Sequence, residues 1–422
     1  MTGGGVFQRA QRRVIVWATG DESVGWRLPP ALPITGTWVS GGVRTLHELA
    51  VAARVTGREV ELRGHVFPPA LAELAAEAGF APTLPTEPRR PRTGEIVIVP
   101  EGIQDPLALA RVVLSGAHVV LVILAPPGLF GWPLVDDHEL VSPLEVDPAT
   151  LARLEHFRAL AGLGIVVWTN IHRIQELAAS AGLECRFIGN GNPLPPGPPA
   201  EKTVDVAWLR SNRWAPLAEE VARRTEATVD GIEEVEHPEL LRRLGTARVL
   251  LWPSRIEGHA RIALEARAAG TVPVALASNV FAAGLAEEHG AVAVETLEEM
   301  PAAIHALLAD SERLAELAER GRHFAREQVD WPRFVQRVDE ALDALDAAED
   351  PSTEARGAMG ARVEELQEAA SSHAELLTSQ LEAARTDRDQ IAGDLAALRS
   401  RKAVRVALRV AELRPRRRTS LP

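Results

Sequence analysis

Short apolar runs alternate with amphipathic segments along roughly the first 345 residues of the chain. Apolar runs bounded by turn residues predict buried strands, and apolar positions three and four apart predict helices. Strands that are apolar throughout and separated by helices are typical of parallel sheets covered on both faces. The pattern predicts strands at Arg13–Ala18, Glu59–Arg63, Glu95–Val99, His118–Leu124, Ile165–Thr169, Cys185–Ile188, Val204–Leu209, Arg248–Trp252, Val272–Ala275 and Ala291–Val294.

A proline-rich stretch divides these strands into two groups. The chain from Asn190 reads Asn-Gly-Asn-Pro-Leu-Pro-Pro-Gly-Pro-Pro-Ala-Glu-Lys, and proline removes backbone donors and disfavours the interior of any element. We therefore expect an N-terminal Rossmann-like domain at 1–190, a hinge at 191–202 and a C-terminal Rossmann-like domain at 203–348. A ligand site is expected in the cleft beyond the carboxyl ends of the strands.

The pattern changes after a second break at Glu349-Asp350-Pro351-Ser352. In 352–398, positions alternately four and three residues apart are mostly apolar, which predicts a helical coiled coil and self-association. A single amphipathic helix packed on the body is the alternative. The segment 399–422 holds nine Arg or Lys against one acid, and such a basic amphipathic tail can bind an anionic membrane. A disordered cationic end is the alternative there.

Composition narrows the class of protein. The chain has 422 residues, 46% hydrophobic and 25% charged, as ordinary globular proteins do. Its single cysteine, Cys185, excludes a disulfide framework. The net charge is −12 in total, and residues 1–398 carry 37 − 57 = −20, which disfavours non-specific nucleic-acid binding. Without an export signal or an apolar segment of about 20 residues, we expect a cytoplasmic protein whose tail can reach the inner face of the membrane.

The segment from Leu250 to Ala275 carries the most informative motif. A strand ends, a Pro-Ser loop follows, and a helix begins near Gly258. The first amides of such a helix and its positive dipole end suit a phosphate. Glu257 precedes the helix, and Glu265 lies about two turns inside it with a side chain that tilts back toward the start. Two carboxylates flanking a phosphate site fit a nucleotide-sugar, which has hydroxyls on both sides of a pyrophosphate.

This segment resembles the donor site of group 1 glycosyltransferases, the family 4-like retaining enzymes of the GT-B fold. The likeness rests on Pro253-Ser254-Arg255-x-Glu257-Gly258, the spacing from Glu257 to Glu265, and Ala-Gly-x-x-Pro-Val ending at Val274. It covers roughly 12–345, strongly over 247–345 and weakly before that. It implies that Glu265 binds the donor ribose and that Glu257 orients the sugar. It also places Ser254, Gly258, His259 and Ala260 around the sugar and phosphates.

Two weaker motifs agree with that resemblance. Gly41-Gly42 at a predicted helix start resembles the family's N-terminal glycine loop, which faces the donor diphosphate. Arg210 and Arg213 follow the first strand of the second domain, where the family neutralises the diphosphate. The chain also departs from the family. Ala260 replaces a glycine, the interval from Arg213 to Leu250 is one strand–helix unit short, and only His172 is available for the usual acceptor-side histidine.

We therefore expect a GT-B-like α/β protein with two doubly wound domains facing a cleft, plus the coiled coil. The implied function is a hexosyltransferase-type, retaining, metal-independent glycosyltransferase with Glu257, Arg210 and Arg213 as catalytic groups. No cofactor is expected beyond the nucleotide-sugar donor, and the acceptor is a carbohydrate or a lipid-linked molecule. Two alternatives stay open, a degenerate scaffold of a polysaccharide-assembly complex and a sugar-nucleotide epimerase. A nicotinamide dehydrogenase is disfavoured because no dinucleotide fingerprint follows the first strand.

Overall fold

A computed structural model provides the three-dimensional structure. It describes residues 11–17, 41–63, 75–79, 90–100, 112–124, 164–180, 182, 184–191, 200–210, 214–233, 235–255, 261–279, 282–350, 357, 360 and 361. Both sheets lie in one compact unit, residues 1–360. Within the described ranges, no helix combines the length and the apolar character needed to cross a bilayer.

The first sheet has six parallel strands in the order β2-β1-β3-β4-β5-β6. Every residue of β1 is fully buried, so the strand is covered on both faces, as an apolar run in a parallel sheet requires. The strands are β1 Val14–Trp17, β2 Val60–Arg63, β3 Ile96–Pro100, β4 His118–Ile123, β5 Val166–Thr169 and β6 Cys185–Phe187.

The second sheet has five parallel strands in the order β11-β10-β9-β7-β8. Counted from its own first strand, this is the order 2-1-3-4-5, which the first sheet also follows before it adds its sixth strand. In sheets of this order, ligands bind where the order reverses, between the first and third strands. The strands are β7 Val204–Leu209, β8 Val229–Ile232, β9 Ala247–Trp252, β10 Val272–Leu276 and β11 Val292–Val294.

Helices cover both faces of the second sheet. Alternate strand residues point to opposite faces, so Val249 and Leu251 join one core cluster and Leu250 and Trp252 join another. The helices of the described chain are α1 Gly41–Val55, α2 His172–Ser180, α3 Ala215–Arg223, α4 His237–Thr246, α5 Arg261–Ala268, α6 Met300–Ala309, α7 Ser311–Gln328 and α8 Trp331–Ala347.

The last of these helices returns to the first sheet. Phe334, Val338 and Leu342 of α8 are fully buried in one core cluster with Val14 and Val16 of β1. The apolar residues of α8 therefore pack in the core of the first domain, although they lie within 203–348.

All ten predicted strands are present, each within one residue of its expected bounds. One strand is not among those predicted: β8 lies in the interval between Arg213 and Leu250 and is followed by α4. That this interval is one strand–helix unit shorter than in the family stays a prediction. Pattern analysis misses β8 because Val-Asp-Gly-Ile is polar at its centre, and β8 is an edge strand with an exposed end.

The coiled-coil prediction at 352–398 falls on residues of which only 357, 360 and 361 are described. The basic tail at 399–422 lies outside the described residues. Both assignments stay predictions.

Candidate functional site

The strand order of the second sheet reverses between β7 and β9, and two predicted site residues follow these strands. Arg210 comes directly after β7 and is exposed. Its guanidinium lies 5.6 Å from the ring centroid of Trp208, and its side chain packs over Gly231, which leaves room for it. Ser254 comes two residues after β9 and is fully buried. Its hydroxyl oxygen has no hydrogen-bond partner among the described residues.

An apolar pocket lies at the same reversal point. Leu209 ends β7, Trp252 ends β9, and both line the pocket together with Trp214 and Ile262. Trp214 precedes α3, and Ile262 is the second residue of α5. The pocket and Glu265 therefore share one helix, about one turn apart.

Glu265 is buried and contacts both domains. It is only 3% exposed. Its Oε1 is 2.8 Å from Nε2 of His237 on α4 and 3.3 Å from Nη1 of Arg44 on α1. A carboxylate removed from water needs such charged or hydrogen-bonding partners. The residue predicted to bind ribose is thus held by a cation from the first domain.

A second ion pair crosses the domains in the opposite direction. Arg261 of α5 donates to both carboxylate oxygens of Glu48 on α1, at 2.7 and 2.8 Å. Arg44 also lies near Glu48, with its Nε 3.4 Å from Oε1. Each helix carries an arginine and a glutamate four residues apart, a spacing that places both on one helix face. The two pairs exchange partners between the two domains. Together they form the cross-domain cluster: Arg44, Glu48, His237, Arg261 and Glu265.

Two asparagines extend the cluster toward the first sheet. Oδ1 of Asn190, three residues after β6, accepts hydrogen bonds from Thr45 at 3.2 Å, Asn170 at 3.0 Å and Arg261 at 3.3 Å. Asn190 is fully buried and is the residue before the predicted hinge. The start of the hinge is therefore tied to α1, β5 and α5 by side-chain hydrogen bonds.

The charges of the cluster do not fully compensate Arg44. Burial lowers the pKa of Arg44, and the nearby positive charge of Arg261 lowers it further, whereas Glu48 and Glu265 raise it. The net direction is downward. An arginine side chain nevertheless stays protonated in proteins. Its buried positive charge is therefore incompletely compensated, and an added anion would stabilise it.

The helix that carries Glu265 is anchored on its other side. Arg267 is buried and donates to the backbone oxygens of Ala283 and Gly284. Its guanidinium lies 4.8 Å from the ring centroid of Phe324 on α7, and burial lowers the pKa of Arg267 to about 10. Gly270 follows α5 with φ of 72°, a left-handed conformation that glycine adopts without strain. These contacts fix the orientation of α5.

The described residues contain only part of the predicted site. Glu257, Gly258, His259, Ala260 and Arg213 lie outside them. Gly41 and Gly42 are the first two residues of α1, three and two positions before Arg44. No group of three or more His, Cys, Asp or Glu in the described part of the chain is arranged to hold a metal ion.

His172, the candidate acceptor-side histidine, is the first residue of α2. Its ring stacks on Phe187 with 3.6 Å between the centroids. Burial, and then the charge of Arg337, lowers the pKa of His172. The imidazole is therefore neutral at pH 7.

Sequence reasoning gave no role to the two contacts of Glu265, Arg44 and His237, or to the Arg261–Glu48 pair. Arg44 ends the glycine motif at the start of α1, and Arg261 lies in the segment from Leu250 to Ala275, but neither motif assigns them a partner. The repeated spacing, Arg-x3-Glu in both α1 and α5, is the one local signal that pairs these helices. It does not reveal that the arginines exchange glutamates.

Two solved structures are similar in fold to this chain. Sucrose-phosphate synthase from Thermosynechococcus elongatus superposes with a TM-score of 0.55 and 13% identity, over 80% of this chain and 100% of that chain. HepE from Anabaena, crystallised with UDP-glucose, superposes with a TM-score of 0.53 and 14% identity, over 79% of this chain and 99% of that chain. Neither a protein-family model nor a curated protein sequence matches the chain. The prediction of two doubly wound GT-B-like domains is confirmed.

Proposed function

We propose that the chain is a glycosyltransferase that takes its sugar from a nucleotide-diphosphate donor bound by the second domain. The observation that carries the proposal is the placement of Glu265. Its buried carboxylate lies where the two domains meet, on the helix that also lines the tryptophan pocket between β7 and β9. In this proposal Glu265 accepts hydrogen bonds from the ribose hydroxyls.

The similarity in fold to HepE and to sucrose-phosphate synthase supports the proposed glycosyltransferase function. HepE is crystallised with UDP-glucose and sucrose-phosphate synthase is named for its product. The donor of this chain is proposed to be a nucleoside diphosphate hexose of the same chemical class. Its acceptor is proposed to be a hydroxyl of a carbohydrate or of a lipid-linked molecule.

The proposed reaction breaks the bond between the sugar C1 and the oxygen of the diphosphate. An acceptor hydroxyl forms the new bond to C1, its proton passes to the departing diphosphate, and the nucleoside diphosphate leaves. Arg210, Arg213 and the amides at Gly258–Ala260 would stabilise the departing diphosphate, with Glu257 orienting the sugar. Retention of the anomeric configuration and independence from a metal are part of the proposal by resemblance to group 1 enzymes.

The hydroxyl of Ser254, which finds no hydrogen-bond partner within the described ranges, fits this assignment. A buried polar atom without a partner costs about 1–3 kcal/mol, and here it lies at the carboxyl end of β9. We propose that a polar atom of the donor supplies the missing partner.

Donor binding to a Glu265→Gln variant tests the proposal. Wild-type protein is titrated by calorimetry with UDP-glucose, ADP-glucose and GDP-glucose, and we expect at least one to bind. The variant should bind that donor at least about tenfold more weakly, since a hydrogen bond to a charged group contributes about 1.5–3 kcal/mol.

The matched control is Glu239→Gln, which removes an exposed glutamate of α4 paired with Arg242. It should leave donor affinity unchanged. Equal affinity of wild type and Glu265→Gln would contradict the ribose assignment. Binding of none of the three donors would favour the non-catalytic scaffold, and conversion of donor to an isomer without acceptor would favour the epimerase.

A further inference from the structure

The guanidinium of Arg44 contacts the carboxylate of Glu265, which is proposed to bind ribose. Arg44 is 6% exposed, with Nη1 3.3 Å from Oε1 of Glu265 and 3.0 Å from Nε2 of His237. Its Nη2 has no hydrogen-bond partner among the described residues. A buried cation from the first domain is therefore held by the oxygen that it shares with His237 and by a longer contact of its Nε with Glu48, at 3.4 Å, and it has donor capacity to spare.

His237 competes with Arg44 for that oxygen. Nε2 of His237 lies 2.8 Å from Oε1 of Glu265. One ring nitrogen is a donor or an acceptor, never both at once. If Nε2 carries the proton and donates it to Glu265, the same nitrogen cannot accept a hydrogen bond from Nη1 of Arg44, 3.0 Å away. The longer contact, from Arg44, is the one that a third donor displaces most easily.

If ribose hydroxyls replaced Arg44 at Glu265, Arg44 would lose its contact with that carboxylate. Its other carboxylate, Glu48, already accepts two hydrogen bonds from Arg261, at 2.7 and 2.8 Å. An unpaired charge away from water is strongly unfavourable. A neutral nucleoside would therefore bind against the cost of isolating a buried cation. A ligand that carries hydroxyls and an anion together would remove that cost.

We infer that Arg44 is a diphosphate-binding residue supplied by the first domain, which exchanges Glu265 for the donor phosphates when the ribose binds. The inference rests on the proposed function. Guanidinium pairs phosphate oxygens through two parallel hydrogen bonds. Arg44 follows Gly41 and Gly42 in the first turn of α1, where the helix amides add positive potential. Binding of donor would thus couple the two domains through one side chain.

The test compares a nucleoside diphosphate with its nucleoside on full-length protein. UDP is titrated by calorimetry and uridine by ligand-observed NMR, with the adenine and guanine pairs run in parallel. Arg44→Gln should weaken UDP at least about tenfold and leave uridine equal or tighter. Glu265→Gln should weaken both ligands. Arg223→Gln, which removes an exposed arginine paired with Glu220 on α3, should change neither.

Arg44→Lys provides a second variant that keeps the charge. Lysine retains a single point charge without the planar fork, so UDP should weaken several-fold and uridine should not. Thermal unfolding of each variant checks that it is folded.

Four results would overturn the inference. Tighter UDP binding by Arg44→Gln would make Arg44 only a competitor for Glu265. Equal losses for UDP and uridine in both Arg44 variants would make it a structural residue. If wild-type protein binds no diphosphate of the three bases, the proposed function fails and the inference falls with it. If Glu265→Gln weakens binding while the Arg44 variants do not, only the inference fails.

Discussion

Two buried arginines join segments that are distant in sequence, and they are held in different ways. Arg58, after α1, is fully buried, and each of its terminal nitrogens has its own carboxylate on α8, Asp346 and Asp343, at 2.5 Å. Arg44, at the start of α1, shares one oxygen of Glu265 with His237, and one of its terminal nitrogens has no hydrogen-bond partner in the part of the chain that the structure describes.

The difference separates a structural contact from a binding one. A cation with a carboxylate for each terminal nitrogen is compensated in the folded state, and exchanging its partners gains nothing. A cation with a shared partner and unused donor capacity remains able to accept a new anion. The first contact fixes α8 to the first domain, whereas the second lies where a ligand is proposed to enter. Measurements of unfolding free energy test whether the two arginines contribute differently to stability.

The largest loss of stability is expected from Arg58→Met. The substitution leaves Asp346, whose side chain is 9% exposed, without its cation, and breaking a buried pair from one side costs about 3 kcal/mol. Urea unfolding followed by circular dichroism gives the change in unfolding free energy. Arg223→Met, at an exposed pair on α3, is the control and should behave as wild type. A stability equal to wild type for Arg58→Met would show that α8 is held by its apolar face alone.

A smaller loss, about 2 kcal/mol, is expected from Glu48→Gln. Glu48 is fully buried and pairs with Arg261 and Arg44. Glutamine keeps one acceptor but turns an amide donor toward a guanidinium. The same urea experiment measures the loss, with the exposed Glu239→Gln as reference. An unchanged unfolding free energy would mean that the cross-domain cluster does not form in solution.

The smallest loss, about 1 kcal/mol or less, is expected from Arg44→Gln. His237 still donates to Glu265, Arg261 still pairs with Glu48, and the cost of burying one guanidinium disappears. Its unfolding curve should lie close to that of wild type. A loss as large as that of Arg58→Met would show that both arginines stabilise the fold to the same extent.

Sequence patterns located the elements well because their causes are local. β9, α5 and β10 follow from a buried apolar strand, a Pro-Ser loop and a glycine that ends the helix, so the position of Glu265 on α5 could be predicted. β8 could not, because an edge strand with Asp and Gly lacks the apolar run that marks buried strands. Arg210 was placed correctly after β7, and its packing over Trp208 and Gly231 has no signature in the sequence.

Two doubly wound sheets and the helix on which Glu265 lies could be predicted from the amino-acid sequence. The side chains that Glu265 contacts are visible only in the folded structure. Arg44 is 221 residues away along the chain, and the aspartates that hold Arg58 are 285 and 288 residues away. Periodicity and turn chemistry act over a few residues, whereas pairing between charged side chains on separate helices depends on how whole domains pack. The contacts that decide the chemistry of the cleft therefore emerge only when the chain is folded.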